Sequence, residues 1–257
     1  MKRISVDIGG TFTDCFVVWD NKYIETKALT THQNLALGFN EALEKAYQEL
    51  GVGMEELLAG VDSVRYATTL GTNALIEHNG PRIGMLVSAG YEAMVPLSRA
   101  RGYGEGLDDL GKQNLPDAQR PVPLVLPNMI EGVRERLGFE GELVMPVDED
   151  DVRQKIRTLV DKGAQAIVVC LVNSVVNPAH EKRVEEILLE EYPTHLLGSI
   201  PVILSHRVAG RKGEYVRATS AIVDGYLHST MYYAMSCLLY TSPSPRDATL
   251  SRMPSSA

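Results

Sequence analysis

The residues best suited to chemistry stand near the N-terminus, in the stretch VDIGGTFTD. Its acidic, glycine and threonine residues at the turn are Asp7, Gly9, Gly10, Thr11 and Thr13. Because glycine has no Cβ, it can adopt positive φ and let another group approach the backbone amides. Those amides and the two threonine hydroxyls form a set of donors suited to phosphate oxygens. Asp7, at a strand end, could hold a hydrated Mg²⁺ ion, which keeps several waters and takes few carboxylates.

An ordinary tight hairpin with an Asp/Gly turn is the alternative interpretation of this stretch. Its glycine spacing differs from the GxGxxG of dinucleotide-binding folds, and no GK[ST] sequence follows, as a Walker A loop requires. On these residues alone, both interpretations stay open.

Two further groups of residues could bind anions. Thr68, Thr69, Thr72 and Asn73 stand at the start of a predicted helix, where the backbone amides point outward and favour negative charge. Capping of that helix is the alternative role for them. Arg99 and Arg101, beside a Gly- and Pro-rich segment, could hold an acidic substrate or simply be solvated.

The phosphate-suited turn should be positioned by strands. Short apolar-rich strands are predicted at Lys2–Ile8 and Thr13–Val18, on either side of Gly9-Gly10, with a third at Lys22–Ala28. We expect an antiparallel meander with the Gly9-Gly10 turn exposed at one end.

The remaining elements alternate between helix and strand, which indicates an α/β fold. Residues 1–98 are predicted to form a first α/β unit, with helices at Asn34–Leu50 and Leu70–His78 and strands at Ser63–Ala67 and Arg82–Val87. Residues 99–129 lack periodicity and are predicted as a long loop. Residues 130–236 form a second α/β unit, with helices Asp148–Lys162, Pro178–Tyr192 and Gly213–Met231 and strands Ala166–Val172 and Ile200–Leu204.

Composition excludes several classes of function. The chain has a net charge of −8, whereas nucleic-acid-binding proteins are usually basic. No apolar run is long enough for a membrane span, and no signal-peptide pattern opens the chain. The three cysteines have no paired spacing, so neither a disulfide framework nor a zinc site is indicated. We therefore expect a cytoplasmic protein.

The last residues, 237–257, differ abruptly in composition, being rich in Ser, Pro and Arg. Their back-translation resembles a transposase-type sequencing-library adapter in order, frame and spacing. We expect this tail to be non-native and to pack against nothing, and the natural sequence to stop near Ser236; a disordered Pro/Ser-rich terminus is the alternative.

At this point a family resemblance becomes specific. VDIGGTFTD resembles the first phosphate motif of the actin/sugar-kinase/Hsp70 superfamily. Within it, GGTFTD is similar to the hydantoinase A/5-oxoprolinase family, which includes ATP-dependent subunits of acetone and acetophenone carboxylases. Three later stretches resemble that family in the same order: TTLGTNALIEHNGPRIGMLVSAGYEAM, VVCLVNSVVNPAHEKRVEEIL and GEYVRATSAIVDGYL. Tyr66-Ala67 and the segment Gly102–Arg120 depart from the family pattern, which leaves the substrate open.

The resemblance implies a ribonuclease H-like (actin/Hsp70-type ATPase) fold, of which this chain holds the N-terminal part together with a second α/β unit. It implies ATP and Mg²⁺ as cofactors, with the phosphates on the residues of the Asp7–Thr13 turn and Mg²⁺ on Asp7 through water. The implied reaction is phosphorylation of a cyclic amide or a ketone enolate, for ring-opening hydrolysis or carboxylation, with a hydantoinase B-type partner subunit. Catalytic residues are not identified, and the fragment alone is expected to be inactive.

Two rivals stay open. A sugar-kinase-like phosphotransferase also carries DIGGT but should show an acidic catalytic base in a downstream Asn-Asp-type turn, which this sequence lacks. The other rival is a nucleotide-gated binding module without chemistry.

Overall fold

The computed structural model describes most of the chain, with side chains as far as residue 236. The described residues are 2–31, 33–98, 102–104, 106–114, 116, 118, 120, 122–193 and 199–241. The chain forms two compact units, one of residues up to Asn79 together with those from Ser229 onward, and one of Gly80–His228. Both units mix helices with strands, so the predicted α/β class is confirmed.

The first unit is a four-stranded sheet with helices. Its elements are β1 (Lys2–Ile8), β2 (Phe12–Trp19), β3 (Lys22–Leu29), α1 (Leu35–Leu50), α2 (Met54–Gly60), β4 (Ser63–Thr68) and α3 (Leu70–Ile76). The strand order is β3-β2-β1-β4, with β1, β2 and β3 antiparallel and β4 parallel to β1. The predicted meander is therefore confirmed.

The first unit packs its core on one face of this sheet. Alternate residues of β1, among them Ile4, Val6 and Ile8, are buried with Phe39 and Leu43 of α1. The side chains between them on each strand point to the opposite face, because successive residues of a strand alternate. That opposite face is the more exposed one, and it bears the polar residues that stand closest to the turn.

Helix α1 has clear start and stop signals. The Asn34 side chain accepts a hydrogen bond from the Ala36 amide at 3.1 Å, which satisfies one of the unpaired donors of the first turn. Gly51 ends the helix with a φ of 73°, a left-handed conformation that glycine adopts without a Cβ penalty.

The second unit is built on a parallel sheet. Its elements are β5 (Ile83–Ser88), α4 (Met94–Leu97), β6 (Ile130–Val133), β7 (Arg136–Leu137), β8 (Leu143–Met145), α5 (Glu149–Asp161), β9 (Ala166–Cys170), α6 (Ala179–Glu191), β10 (Val202–Leu204), α7 (Ser205–Val208) and the first part of α8 (Glu214–Thr241). The residues of α8 from Ser229 onward belong to the first unit. The strand order is β10-β9-β5-β6, and β7 and β8 form a separate antiparallel pair. The residues of β5 and β9 are all buried, as expected for parallel strands covered on both faces.

The structure divides the chain after Asn79, and not after residue 98 as we predicted. Strand β5 pairs in parallel with β6 and β9 of the second sheet. A continuous apolar strand needs partners and cover on both faces, and the second unit supplies them. In the described part of residues 99–129 there are two short 3₁₀ helices, Gly111–Gln113 and Pro127–Met129, and no strand.

Several predictions fall at the limits of the described residues. Residues 242–257 and the side chains of residues 237–241 lie outside them, and so does the prediction that the tail packs against nothing. Arg99 and Arg101 also lie outside the described residues. Among the described helices, none has both the length and the apolar character needed to span a membrane.

Candidate functional site

The Gly9-Gly10 turn joins β1 to β2 at one exposed end of the first sheet. The Gly9 amide donates to the Phe12 carbonyl at 3.0 Å, which closes the hairpin. The Thr11 carbonyl accepts from the Thr30 amide at 3.0 Å, which ties the turn to the loop after β3. Within the described residues, the Gly10 and Thr11 amides have no backbone acceptor. The turn is therefore held in place by its base while two of its amides stay available to an anion.

Gly10 lies beside the first turn of α3. A Cβ built on Gly10 would stand 3.6 Å from the Asn73 side-chain nitrogen. This proximity follows from the parallel pairing of β1 with β4, which places Ile8 opposite Thr68. The structure thus brings the two predicted groups of phosphate-binding residues together.

The Thr68 side chain links the end of β1 to the start of α3. Its hydroxyl donates to the Ile8 carbonyl at 3.1 Å and accepts from the Leu70 amide at 3.2 Å. Its proton is therefore already used within the protein. Thr69 occupies the N-cap position of α3 but makes no capping hydrogen bond, and the Thr69 and Thr72 side chains are exposed.

Thr13 does not face the turn's open side. Its side chain is fully buried, and its hydroxyl lies 2.9 Å from the Thr30 hydroxyl, next to α1. The alternation of β2 explains this position, because Thr13 pairs with buried Ile8 and shares its face of the sheet. Our prediction that the Thr13 hydroxyl binds phosphate does not fit this burial.

Asp7 and Asp14 share the exposed face beside the turn. They are directly paired across β1 and β2, and Asp14 is paired in turn with Lys27 of β3. The Lys27 Nζ lies 3.0 Å from the Asp14 Oδ1. We did not predict Asp14 as a site residue from the sequence. The hairpin register could have identified it, because a two-residue loop at Gly10-Thr11, closed by Gly9 and Phe12, pairs Asp7 with Asp14.

A cavity of about 500 Å³ opens on this exposed face. Its lining combines charged residues of all four strands, namely Asp7, Asp14, Glu25 and Arg65, with apolar residues such as Phe16. Within the described residues, no group of three or more His, Cys, Asp or Glu side chains could hold a metal ion by itself. A few carboxylate oxygens suit a hydrated Mg²⁺ ion, whereas a structural Zn²⁺ site requires four ligands, mostly Cys and His.

A second cavity, of about 570 Å³, lies in the second unit between the segment after β5 and the start of α8. Its lining is mostly valine, proline and leucine, with Arg120 and Tyr215. Arg120 donates to the carbonyls of Pro96 and Leu97 and lies over the Tyr103 ring. The guanidinium is therefore engaged in holding this loop together.

The carboxyl ends of the parallel strands in the second unit are filled by a buried polar cluster. The hydroxyl of Ser88, the last residue of β5, accepts from the Val172 amide at 2.9 Å and donates to Glu135. The other Glu135 oxygen lies 2.6 Å from the His180 Nδ1. Ligands of open α/β sheets usually bind where the strand order reverses, which here is between β5 and β9. Side chains of the protein itself occupy that position.

A second buried group stands beside the first. Glu181 accepts from the Leu171 amide at 3.0 Å and from the Ser205 hydroxyl at 2.6 Å. Arg217 is fully buried and donates to the Ser205 hydroxyl at 2.9 Å and the Leu171 carbonyl at 2.7 Å. These contacts give the NPAHE and EYVR stretches a structural role.

The described cysteines are free and buried. Burial raises the pKa of the Cys15 thiol to about 11, and burial likewise raises the pKa of Cys170 to about 11. A thiol with so high a pKa carries little thiolate at neutral pH, so neither is an activated nucleophile.

Known proteins resemble this chain in sequence and in fold. The acetophenone carboxylase gamma subunit of Aromatoleum aromaticum is 42% identical over 231 residues, which cover 90% of this chain and 32% of that protein. The solved structure of nucleotide-free acetone carboxylase matches 93% of this chain and 34% of that one, with a TM-score of 0.84 and 30% identity. The crystal structure of the ATP-dependent caprolactamase of Pseudomonas jessenii matches 94% of this chain and 35% of that one, with a TM-score of 0.77 and 26% identity.

These matches confirm the predicted ribonuclease H-like, actin/Hsp70-type fold. This chain spans about a third of the length of the relatives it matches. The family model for the hydantoinase/oxoprolinase N-terminal region matches residues 3–192, which is well over half of the chain. The chain belongs to the hydantoinase/oxoprolinase N-terminal region family.

Proposed function

We propose that this chain supplies one side of an ATP site in a hydantoinase/oxoprolinase-type subunit. The observation that carries the proposal is the exposed Gly9-Gly10 turn beside the carboxylate of Asp7. Among the described residues, its Gly10 and Thr11 amides have no backbone acceptor. Amides with this freedom are strong donors to phosphate oxygens.

The donors divide by position. The Gly10 and Thr11 amides and the exposed Thr11 hydroxyl bind phosphate oxygens, and Asn73 reaches them from α3. Thr69 and Thr72 present exposed hydroxyls from the same helix turn. The glycines keep the approach to the backbone open. Thr13 and Thr68 position this surface through their internal hydrogen bonds.

Asp7 holds Mg²⁺ through water in this proposal. The bound ion would neutralise charge on the phosphates, as it does in phosphoryl-transfer sites generally. Asp7 suits this task because its carboxylate is exposed on the strand end next to the turn. The work of this chain is to place the phosphates, since catalysis of phosphoryl transfer consists largely of positioning and charge stabilisation.

We infer that the full-length protein phosphorylates the oxygen of a cyclic amide or of a ketone enolate. Phosphorylation makes a poor leaving group or electrophile reactive, and ring-opening hydrolysis or carboxylation follows. The names of the relatives support both outcomes, because acetophenone carboxylase is a carboxylase and caprolactamase acts on a lactam. The names of relatives include subunit designations, which supports a partner subunit. We infer that this partner is of the hydantoinase B type. The cytoplasmic location predicted from the sequence belongs to the same proposal.

Replacement of Asp7 tests the site in the full-length protein. We expect Asp7→Ala to lower ATPase turnover at least about a hundredfold, on the scale of a lost metal or charge-stabilising group. Stability should change by less than about 0.5 kcal/mol, because the residue is exposed. A coupled ATPase assay with 5-oxoproline, hydantoins and ketones measures the first quantity, and urea denaturation measures the second. Asp62→Ala, at another exposed aspartate of the first unit, is the control. Unchanged turnover in Asp7→Ala would remove the assignment.

A further inference from the structure

A row of charged side chains crosses the exposed face of the first sheet. Asp7 of β1 lies opposite Asp14 of β2, and Asp14 lies opposite Lys27 of β3. Lys27 forms an ion pair with Asp14 at 3.0 Å, and its ammonium group also lies 4.9 Å from the centre of the Phe12 ring. The row stands one residue below the Gly9-Gly10 turn.

Two carboxylates directly opposite each other on one sheet face repel, which destabilises the strand pair. Lys27 offsets this repulsion from the Asp14 side. On the other side, the residue paired with Asp7 is Ala67, which brings no charge. The row therefore carries one more negative than positive charge, and the excess lies at the Asp7–Asp14 pair.

The cavity over the row also has more negative than positive charge in its lining. Its lining includes the carboxylates of Asp7, Asp14 and Glu25 against the single guanidinium of Arg65. At about 500 Å³ it has room for an ion with its waters. Its charge favours a cation, whereas the turn beside it presents amides to an anion. The site thus separates into a phosphate side and a cation side.

We propose that Asp14 is a second carboxylate of the cation site, and that Lys27 neutralises it when no cation is bound. This inference rests on the proposed function, because the cation is the one that accompanies ATP. Opposite Cβ atoms of an antiparallel pair are about 4.5–5.5 Å apart, so waters of one hydrated ion can donate to both carboxylates. Lys27 and the cation then compete for Asp14.

This competition gives the two side chains opposite effects on cation affinity. Mn²⁺ serves as a spectroscopic probe for Mg²⁺, and electron paramagnetic resonance counts the free ion in titrations of the full-length protein with ATP present. We expect Asp14→Asn to weaken Mn²⁺ binding about tenfold, within the range for loss of a supporting metal-site group. Lys27→Gln should strengthen it about two- to fivefold, the scale of an exposed ion pair.

Lys22→Gln is the matched control, because Lys22 lies on the same strand at its far end and the net charge changes equally. It should leave the affinity unchanged. In the double variant Asp14→Asn/Lys27→Gln, the gain from Lys27→Gln should disappear, because the competition requires both side chains. Circular dichroism confirms that each variant is folded.

The outcomes separate this inference from the proposed function. Loss of Mn²⁺ affinity in Asp7→Asn with none in Asp14→Asn would refute the role of Asp14 and leave the ATP site standing. A wild-type full-length protein that binds ATP but no Mn²⁺ would also overturn the inference. Weaker binding in Lys27→Gln would show that Lys27 supports the site and does not compete.

Discussion

The hydrogen-bond partner of each threonine hydroxyl around the turn decides whether that hydroxyl is available to a phosphate. Thr11 and Thr13 are two positions apart and have the same side chain, yet Thr11 is exposed at the turn and Thr13 is fully buried against Thr30. The Thr68 hydroxyl donates a hydrogen bond to the Ile8 carbonyl, while the Thr69 side chain next to it makes no capping hydrogen bond. Residue type alone therefore cannot identify the phosphate donors, because the partner of each hydroxyl decides its availability.

Gly38 illustrates a residue whose role depends on one contact. It lies inside α1, where alanine is ordinarily favoured over glycine by about 1 kcal/mol. A Cβ at this position would lie 2.5 Å from the Leu29 carbonyl oxygen. We expect Gly38→Ala to lower the free energy of unfolding by about 1–3 kcal/mol, because overlap with backbone outweighs helix propensity.

Urea denaturation measures this change. Gly53→Ala is the control, since nothing lies within 4 Å of a Cβ there. It should shift stability by less than about 0.5 kcal/mol. Stabilisation by Gly38→Ala would mean that α1 and β3 pack less closely than the structure has them.

At the scale of elements, β6 and α5 are joined by a charged contact. Glu131 of β6 lies 2.7 Å from the Lys162 ammonium and 3.0 Å from that of Lys155. Burial acts to raise the pKa of Glu131, but hydrogen bonds from Lys162 and Lys155 outweigh it and hold the pKa below its usual value. A carboxylate with a lowered folded-state pKa stabilises the protein above its unfolded pKa, about 4.3, and this stabilisation is lost as pH falls through the folded-state value.

We therefore expect Glu131→Gln to cost about 1 kcal/mol at neutral pH, after a discount for the partly exposed lysines. The cost should shrink toward zero in acid, below the folded-state pKa, where wild-type Glu131 is itself protonated. Urea denaturation of wild type and Glu131→Gln at neutral pH and in acid measures the two costs in unfolding free energy. Glu77→Gln, at an exposed glutamate for which the described residues supply no ion pair, should show no pH-dependent cost. An equal cost at both conditions would exclude the electrostatic explanation.

The elements were largely predictable where periodicity was strong. Alternation gave the β1–β2–β3 meander and its exposed turn, and the same alternation would have placed Thr13 inside and Asp14 outside. The seven-residue helix α2 was not predicted, because it is too short for a periodic pattern and begins after Gly53 without a side-chain cap. Helix α3 is equally short but follows the N-cap candidates Thr68 and Thr69. Strand β5 was predicted but assigned to the wrong unit, since an apolar run indicates burial without naming the partner strands. The buried pairs of Glu135 and Glu181 depend on folding and leave no local signal.

At the scale of the whole molecule, the proposed function gives this chain one of the two sides of an ATP cleft. Three or four neutral hydrogen bonds at the turn are worth about 0.5–1.5 kcal/mol each. Binding costs an estimated 4–15 kcal/mol in lost freedom of motion. We expect this chain alone to bind Mg-ATP with a Kd of about 1 mM or weaker, and to hydrolyse none of it.

Isothermal titration calorimetry and a coupled ATPase assay on the purified chain test both statements. The full-length protein, measured in parallel, should bind more tightly and turn over. Tight binding by the chain alone would show that its turn and α3 form a complete nucleotide site.

The first unit also contains its own optical reporter. Trp19 of β2 is the single tryptophan of the chain, and its ring lies 3.8 Å from the Lys2 ammonium and beside Gly60 of α2. Because Trp19 lies in β2, the strand that follows the turn and includes Asp14, unfolding of this sheet changes the surroundings of one fluorophore. Tryptophan emission therefore reports on the first unit, and it can be read without any label or engineered probe.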